Sequence, residues 1–194
     1  MVFKISMNTV KLLYPPLKYK TAHKFPKILF LHGHVEYMGT MVDRYTLIPT
    51  DKANFGKRVV MQCLPEYITR DGKNQVPSLY IWQLFSNCSG SGFGTQMLDF
   101  ARKLSKQIGC QGNIHLTADG CYNPHKIPHI FYRKYGMNTK IAKVDKKLDK
   151  FIAKGKNATY RDFNSVEMFY PPIIHEQSKF VKFLNAIKKK FLGW

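Results

Sequence analysis

Acidic residues are scarce in this 194-residue chain: 12 Asp and Glu stand against 31 Lys and Arg, a formal net charge of +19. A field of that sign disfavours cationic partners and attracts anionic ones, among them coenzyme A, nucleic acid, ribosomes or an anionic membrane surface. A lysine-rich composition kept for solubility accounts for the same numbers, so charge alone selects none of them. Long apolar runs are also missing. None approaches the roughly 20 residues of a membrane-spanning helix, and the opening MVFKISMNTVKLLYPP lacks the roughly 7–15-residue apolar core of a secretory signal, so no membrane partner is expected. Cysteine is sparse and follows no pairing pattern. Cys63, Cys88, Cys110 and Cys121 include no C-x-x-C spacing and read as reduced thiols of a cytoplasmic protein. No repeat, low-complexity tract or linker divides the chain. Residues 1–194 are therefore read as one domain, whose 44% hydrophobic content is enough for a core.

What the chain does contain is a glycine-rich turn set between a strand and a helix. Residues 79–85 (LYIWQLF) form an apolar and aromatic run of strand length. Residues 95–109 carry Met97, Leu98, Ala101, Leu104 and Ile108 at helical spacing, with Gly109 placed to stop the helix. Between the two lies Cys88-Ser89-Gly90-Ser91-Gly92-Phe93-Gly94-Thr95. Glycines at alternate positions let backbone approach a ligand closely, and a new helix adds N–H groups without partners and a positive dipole end. The natural guest is a phosphate or pyrophosphate. A lysine-gripping nucleotide loop needs Lys-Ser or Lys-Thr after the last glycine, where this chain has Thr95-Gln96. A dinucleotide fingerprint needs G-x-G-x-x-G after an early strand, with an acidic residue about 20 positions on. Here the spacing is G-x-G-x-G, although Asp119 lies near that range. The third reading is the pyrophosphate loop of an acyl-coenzyme A transferase. Cys88 borders the turn, where a helix N-terminus lowers a thiol pKa, but an inert thiol is the commoner outcome.

The residues beyond the turn favour the third reading. Residues 112–118 (GNIHLTA) read as a strand with Ile114, Leu116 and Ala118 on one face; Asp119-Gly120 reads as a turn, and Asn123-Pro124 leads into HKIPHIFYRKYGMNT. Phe131-Tyr132-Arg133-Lys134-Tyr135-Gly136-Met137 resembles the FY-x-K-x-GF signature of the GCN5-related N-acetyltransferases. Ser89-Gly90-Ser91-Gly92-Phe93-Gly94 is similar to that family's Q/R-x-x-G-x-G/A loop, at the usual separation. The resemblance lies within residues 79–137 and implies an α/β (α+β) fold: one domain with a mixed, mostly antiparallel central sheet, flanked by helices and splayed at the coenzyme strand. It implies an acetyl-CoA-dependent N-acetyltransferase without a metal, in which a primary amine of a small molecule or peptide attacks the thioester directly. It assigns the pyrophosphate to backbone N–H groups of Ser89, Gly90, Ser91, Gly92, Phe93, Gly94 and Thr95, with the Ser91 and Thr95 hydroxyls as helpers. The pantetheine arm is placed beside the backbone of Leu84, Phe85 and Ser86, and Tyr132 becomes the acid that protonates the leaving thiolate. For the base, His115, Asp119, Glu36 and Glu66 are candidates and none is preferred.

Two departures accompany the resemblance. Ser89 stands where the family has Gln or Arg. The Asn expected about seven residues before Tyr132 is His125, and the small residue four before it is Pro128, which suits the first turn of a short helix. Asn123, two positions displaced, is taken as the substitute cofactor contact. The alternatives are a non-catalytic coenzyme A-binding protein of the same fold, and a nucleic-acid- or ribosome-associated acetyltransferase that uses the basic surface; a homodimer is left open.

Upstream, residues 27–32 read as a strand stopping at Gly33. His32 and His34 straddle that glycine with no third metal ligand near them in sequence, so they read as polar loop histidines. By family habit residues 35–57 hold acceptor-binding helices, with Glu36, Tyr37, Asp43, Arg44 and Tyr45 as substrate-side candidates by location. Residues 58–64 read as a strand, and Asp71-Gly72 as the turn of a hairpin whose second strand starts after Pro77. Residues 140–194 carry 13 basic and 5 acidic residues. They read as a helix at 142–154 with Val144, Leu148, Phe151 and Ile152 inward, a strand at 165–170 and an amphipathic helix at 176–191.

Overall fold

A computed structural model describes residues 28–37, 39–70, 74–120 and 127–174 of the chain. Among the described residues four strands come first: β1 (Ile28–Tyr37), β2 (Thr40–Pro49), β3 (Val59–Thr69) and β4 (Gln75–Ser86). Helix α1 (Phe93–Gln107) leads to β5 (Ile114–Ala118), followed by α2 (His129–Lys134), β6 (Asn138–Thr139), α3 (Ala142–Ala153) and β7 (Val166–Tyr170). The strands form one seven-stranded sheet in the order β1-β2-β3-β4-β5-β7-β6. β4 and β5 are parallel, and every other neighbouring pair is antiparallel. The chain therefore adopts the expected class, a mixed and mostly antiparallel sheet flanked by helices. Among the described residues no helix is long and apolar enough to cross a membrane.

The N-terminal half departs from expectation. Gly33 does not end the first strand; β1 continues through it, with Arg44 as its partner, and pairs along its length with β2 as far as Tyr37 opposite Thr40. Among the described residues of 35–57, the acceptor-binding helices are replaced by β2 and a single 3-10 turn, Lys52–Asn54, which Asp51 caps by accepting from the Asn54 N–H at 3.1 Å. The local reason is composition: Val35, Val42, Tyr45, Thr46, Leu47 and Ile48 favour a pleated surface, and Val42, Tyr45 and Leu47 are buried. The second hairpin is also longer than expected. Pro77 lies inside β4 opposite Tyr67, and Pro65 inside β3 opposite Leu79. Both fall where a neighbouring ladder is absent: β2 pairs with β3 only as far as Cys63, and β5 joins β4 only from Leu79.

Helix α1 sits on the sheet face formed by Leu79, Ile81, Ile114 and Leu116, burying Met97, Leu98, Phe100 and Ala101 in the same cluster. Each fully buried large apolar side chain in this layer contributes about 1.5–3 kcal/mol. Ile108, expected on the inward stripe, is the C-cap residue and 43% exposed. Its place is taken by Ser105, whose hydroxyl donates to the carbonyl oxygens of Asn113 (2.6 Å) and Cys110 (3.3 Å) and so closes the turn from α1 into β5. α3 buries Leu148 as expected, and Asp145 on the same helix accepts from the Thr139 N–H at 2.9 Å. The helix expected at 176–191 lies outside the described residues, as do Asn123 and Cys121.

Candidate functional site

The site is built where β4 and β5 separate. Their ladder holds only Leu79–Ile114, Tyr80–His115 and Ile81–Leu116; β4 then runs on to Ser86 and β5 to Ala118 without further pairing to each other. On its other edge β4 remains paired to β3 through Leu84–Met61, Phe85–Val60 and Ser86–Val59. The register between β3 and β4 also shifts there. Gln83 faces Gln62 and Ile81 faces Cys63, so Trp82 is an extra residue in β4, and a bulge sits at the point of divergence. Trp82 is 42% exposed and meets Tyr80 edge-on, ring centroids 5.8 Å apart. A strand edge with no ladder partner presents N–H and C=O groups to which an extended ligand can add as a strand.

The glycine-rich turn lies at the carboxyl end of that edge and is held by side chains on both sides. Asn87 Oδ1 accepts from the Arg58 N–H at 2.7 Å, and Asn87 Nδ2 donates to the Gly56 carbonyl at 2.9 Å. Ser86 Oγ accepts from the Cys88 N–H and donates to the Cys88 carbonyl, both at 3.2 Å. Ser91 Oγ donates to the same carbonyl at 2.9 Å, so its proton is already committed within the turn. The glycines serve two needs. Gly92 has φ +80, in the left-handed region, and is the N-cap of α1. Gly94 lies in close approach to α2, since a Cβ there would be 3.1 Å from the ring of Phe131. The first turn of α1 has no side-chain cap and no acidic residue, so its N–H groups and dipole end are available to an anion. Phe93 is buried in the core and offers only its backbone, whereas Ser89, Gly90 and Thr95 are exposed. Phe85 is exposed and Leu84 half-buried beside the open edge.

Tyr132 lies on α2, which packs against the first turn of α1. The Tyr135 hydroxyl donates to Asp99 of α1 at 2.8 Å, and Phe131, next to Gly94, lies 5.2 Å from the Tyr132 ring. Tyr132 is only 6% exposed, and burial holds its phenol well above the ordinary value, so it stays protonated at neutral pH. Phe131 and Tyr135 thus hold the helix that carries Tyr132 against α1.

The four base candidates do not share one place. His115 and Glu66 are joined: Ser78 Oγ donates to His115 Nδ1 at 2.8 Å, and His115 Nε2–H donates to Glu66 Oε1 at 2.6 Å. The tautomer follows from the partners, since an ionised carboxylate only accepts. Burial lowers the His115 pKa, an effect partly opposed by Glu66. The chain lies on the sheet face opposite α1, with His115 stacked between Tyr80 (4.9 Å) and Phe169 (5.9 Å). Ser78 precedes the Trp82 bulge by four strand residues, roughly 13 Å at about 3.3 Å per residue, so this network holds the closed part of the sheet. Its serine is fully buried, which also excludes a hydrolase-like use of the Ser–His–Glu order. Asp119 instead accepts from Ser165 Oγ at 2.7 Å, and Glu36 is exposed on β1. Asn87 and Ser78 were not found from the sequence, because their importance depends on partners 29 and 37 residues away.

Compared with family models, curated proteins and solved structures, the chain matches none of them.

Proposed function

We propose that this chain is an acyl-coenzyme A-dependent N-acyltransferase, with acetyl-CoA as donor and a primary amine of a small molecule or peptide as acceptor. The observation that carries the reading is the divergence of parallel β4 and β5 beyond Ile81 and Leu116, with the glycine-rich turn and the uncapped start of α1 at the end of the open edge. That arrangement supports the family resemblance in residues 79–137. The pantetheine arm adds to the free edge near Leu84, Phe85 and Ser86, and the pyrophosphate lies on the N–H groups from Ser89 to Thr95.

In this reading the amine nitrogen attacks the thioester carbonyl carbon. A main-chain N–H beside the Trp82 bulge holds the oxyanion of the tetrahedral intermediate. Collapse breaks the carbon–sulfur bond, and Tyr132 gives its proton to the departing thiolate; the proton of the amine leaves to water. Buried, unpaired thiols at Cys63, Cys88 and Cys110 support a reducing, cytoplasmic setting. The test is amine-dependent release of free coenzyme A thiol over a panel of polyamines, peptides and aminoacyl-tRNA. No release with any acceptor rejects turnover.

Coenzyme A binding without turnover is the second reading. The β1–β2 hairpin favours it, because it occupies the stretch expected to provide acceptor-binding helices. A nucleic-acid-linked acceptor would show itself by affinity that falls steeply with salt.

A further inference from the structure

Two strands from the site proposed above, the β1–β2 hairpin gathers three metal-type ligands. His32 and His34 are two residues apart on β1 and so point to the same face; the register sets Asp43 directly opposite His34 and Tyr45 opposite His32. Asp43 Oδ1 lies 2.8 Å from His32 Nε2 and 3.0 Å from His34 Nδ1, and the three ligand atoms all fall within 4.8 Å of one another. The sequence hides this trio because Asp43 is nine positions beyond His34 and reaches it only through the hairpin.

We propose that His32, His34 and Asp43 bind a divalent transition-metal ion of the zinc type. Metal–ligand bonds of about 2.0–2.1 Å in tetrahedral geometry need ligand atoms roughly 3.3 Å apart. Both Asp–His edges are within about half an ångström of that spacing, and the exposed His34 ring can swing to close the His–His edge. Two imidazoles and a carboxylate are a donor set suited to zinc or iron(II) rather than to calcium or magnesium, which prefer oxygen. His32 is held in place from behind. Its ring stacks on Tyr45 at 4.5 Å, and Tyr45 packs on Phe100 of α1 at 4.9 Å. His34 is 53% exposed, so an ion here keeps coordination positions open to water or a small ligand.

The test uses the tag-free full chain, stripped with chelator and titrated calorimetrically with Zn²⁺, with Co²⁺ absorption as a reporter of ligand type. One equivalent is expected, with a cobalt spectrum free of thiolate charge-transfer bands. H34A at an exposed position and D43N at a half-buried one, both checked by circular dichroism, should each weaken binding by at least about tenfold, the least expected when even an outer partner of a site is lost. Absence of stoichiometric uptake overturns the proposal, as does a thiolate cobalt spectrum or binding by either variant equal to that of the parent.

Discussion

Ile81 and Leu116 form the last rung shared by β4 and β5, and Trp82 immediately beyond them is the extra residue of a bulge. A parallel pair that stops while both strands continue creates an open edge inside the sheet rather than at its rim. The glycine-rich turn and the start of α1 lie at the end of that edge, so an anion and an extended chain attached to it can be held together.

The turn itself gives the first prediction. Gly92→Val places a β-branched residue at φ +80, a conformation that costs an L-residue about 1–2 kcal/mol. Calorimetry should show acetyl-CoA affinity reduced at least tenfold, with a modest loss of melting temperature. Unchanged affinity would remove the turn from cofactor binding.

Tyr132→Phe separates chemistry from binding. The substitution keeps the buried ring and removes only the hydroxyl, so the fold and acetyl-CoA affinity should be preserved while the maximal rate falls at least tenfold. A full rate in the variant would show that the thiolate takes its proton elsewhere.

Gly120→Ala is a test of packing. A Cβ at that position would lie 2.4 Å from Ile127 Cγ2 and 3.2 Å from Tyr160 Cβ, and Ile127 is buried. The overlap should destabilise the chain by about 1–3 kcal/mol in denaturant unfolding. No loss would show that the segment yields without strain.

Much of the architecture was legible because it is written in local patterns. The stripe of Met97, Leu98, Ala101 and Leu104 located α1, the strand read at 112–118 contains β5 but starts two residues before it, and Pro128 marked the start of α2. The failures are non-local. Pro77 looks like a strand boundary until the missing ladder beside it is known, and Gly33 looks like a stop until Arg44 pairs with it. Ile108 fits a helical stripe that ends one residue too soon. In the site, the turn was readable as a motif, whereas Asn87 with Arg58 and Gly56, and Asp43 with His32 and His34, exist only through register.

Two buried histidines make the fold sensitive to acid. His129 Nε2–H donates to the Asn164 carbonyl at 3.0 Å, its Nδ1 is buried with no hydrogen-bond partner among the described residues, and burial lowers its pKa, as it does that of His115. Unfolding releases both to an ordinary value of about 6.5, so below that pH the unfolded chain binds more protons than the native one. The stabilisation should be complete above about pH 6.5 and lost as the pH falls through the two folded values. Nitrogen-detected imidazole NMR should find both as Nε2–H tautomers at pH 7, and unfolding free energy should decline from pH 7 to 5. A flat profile, or titration of either ring above 6.5, would contradict this.

Acetyl-CoA binding is measured directly by a calorimetric and thermal titration with acetyl-CoA against nicotinamide dinucleotides. At a hundred times its dissociation constant a ligand bound only by the native state adds about 2.7 kcal/mol, a clear rise in melting temperature. The predicted result is one site selective for the acyl-coenzyme A and weakened in Gly92→Val. Equal response to the dinucleotides, or none to acetyl-CoA, would contradict the assignment of the β4–β5 cleft.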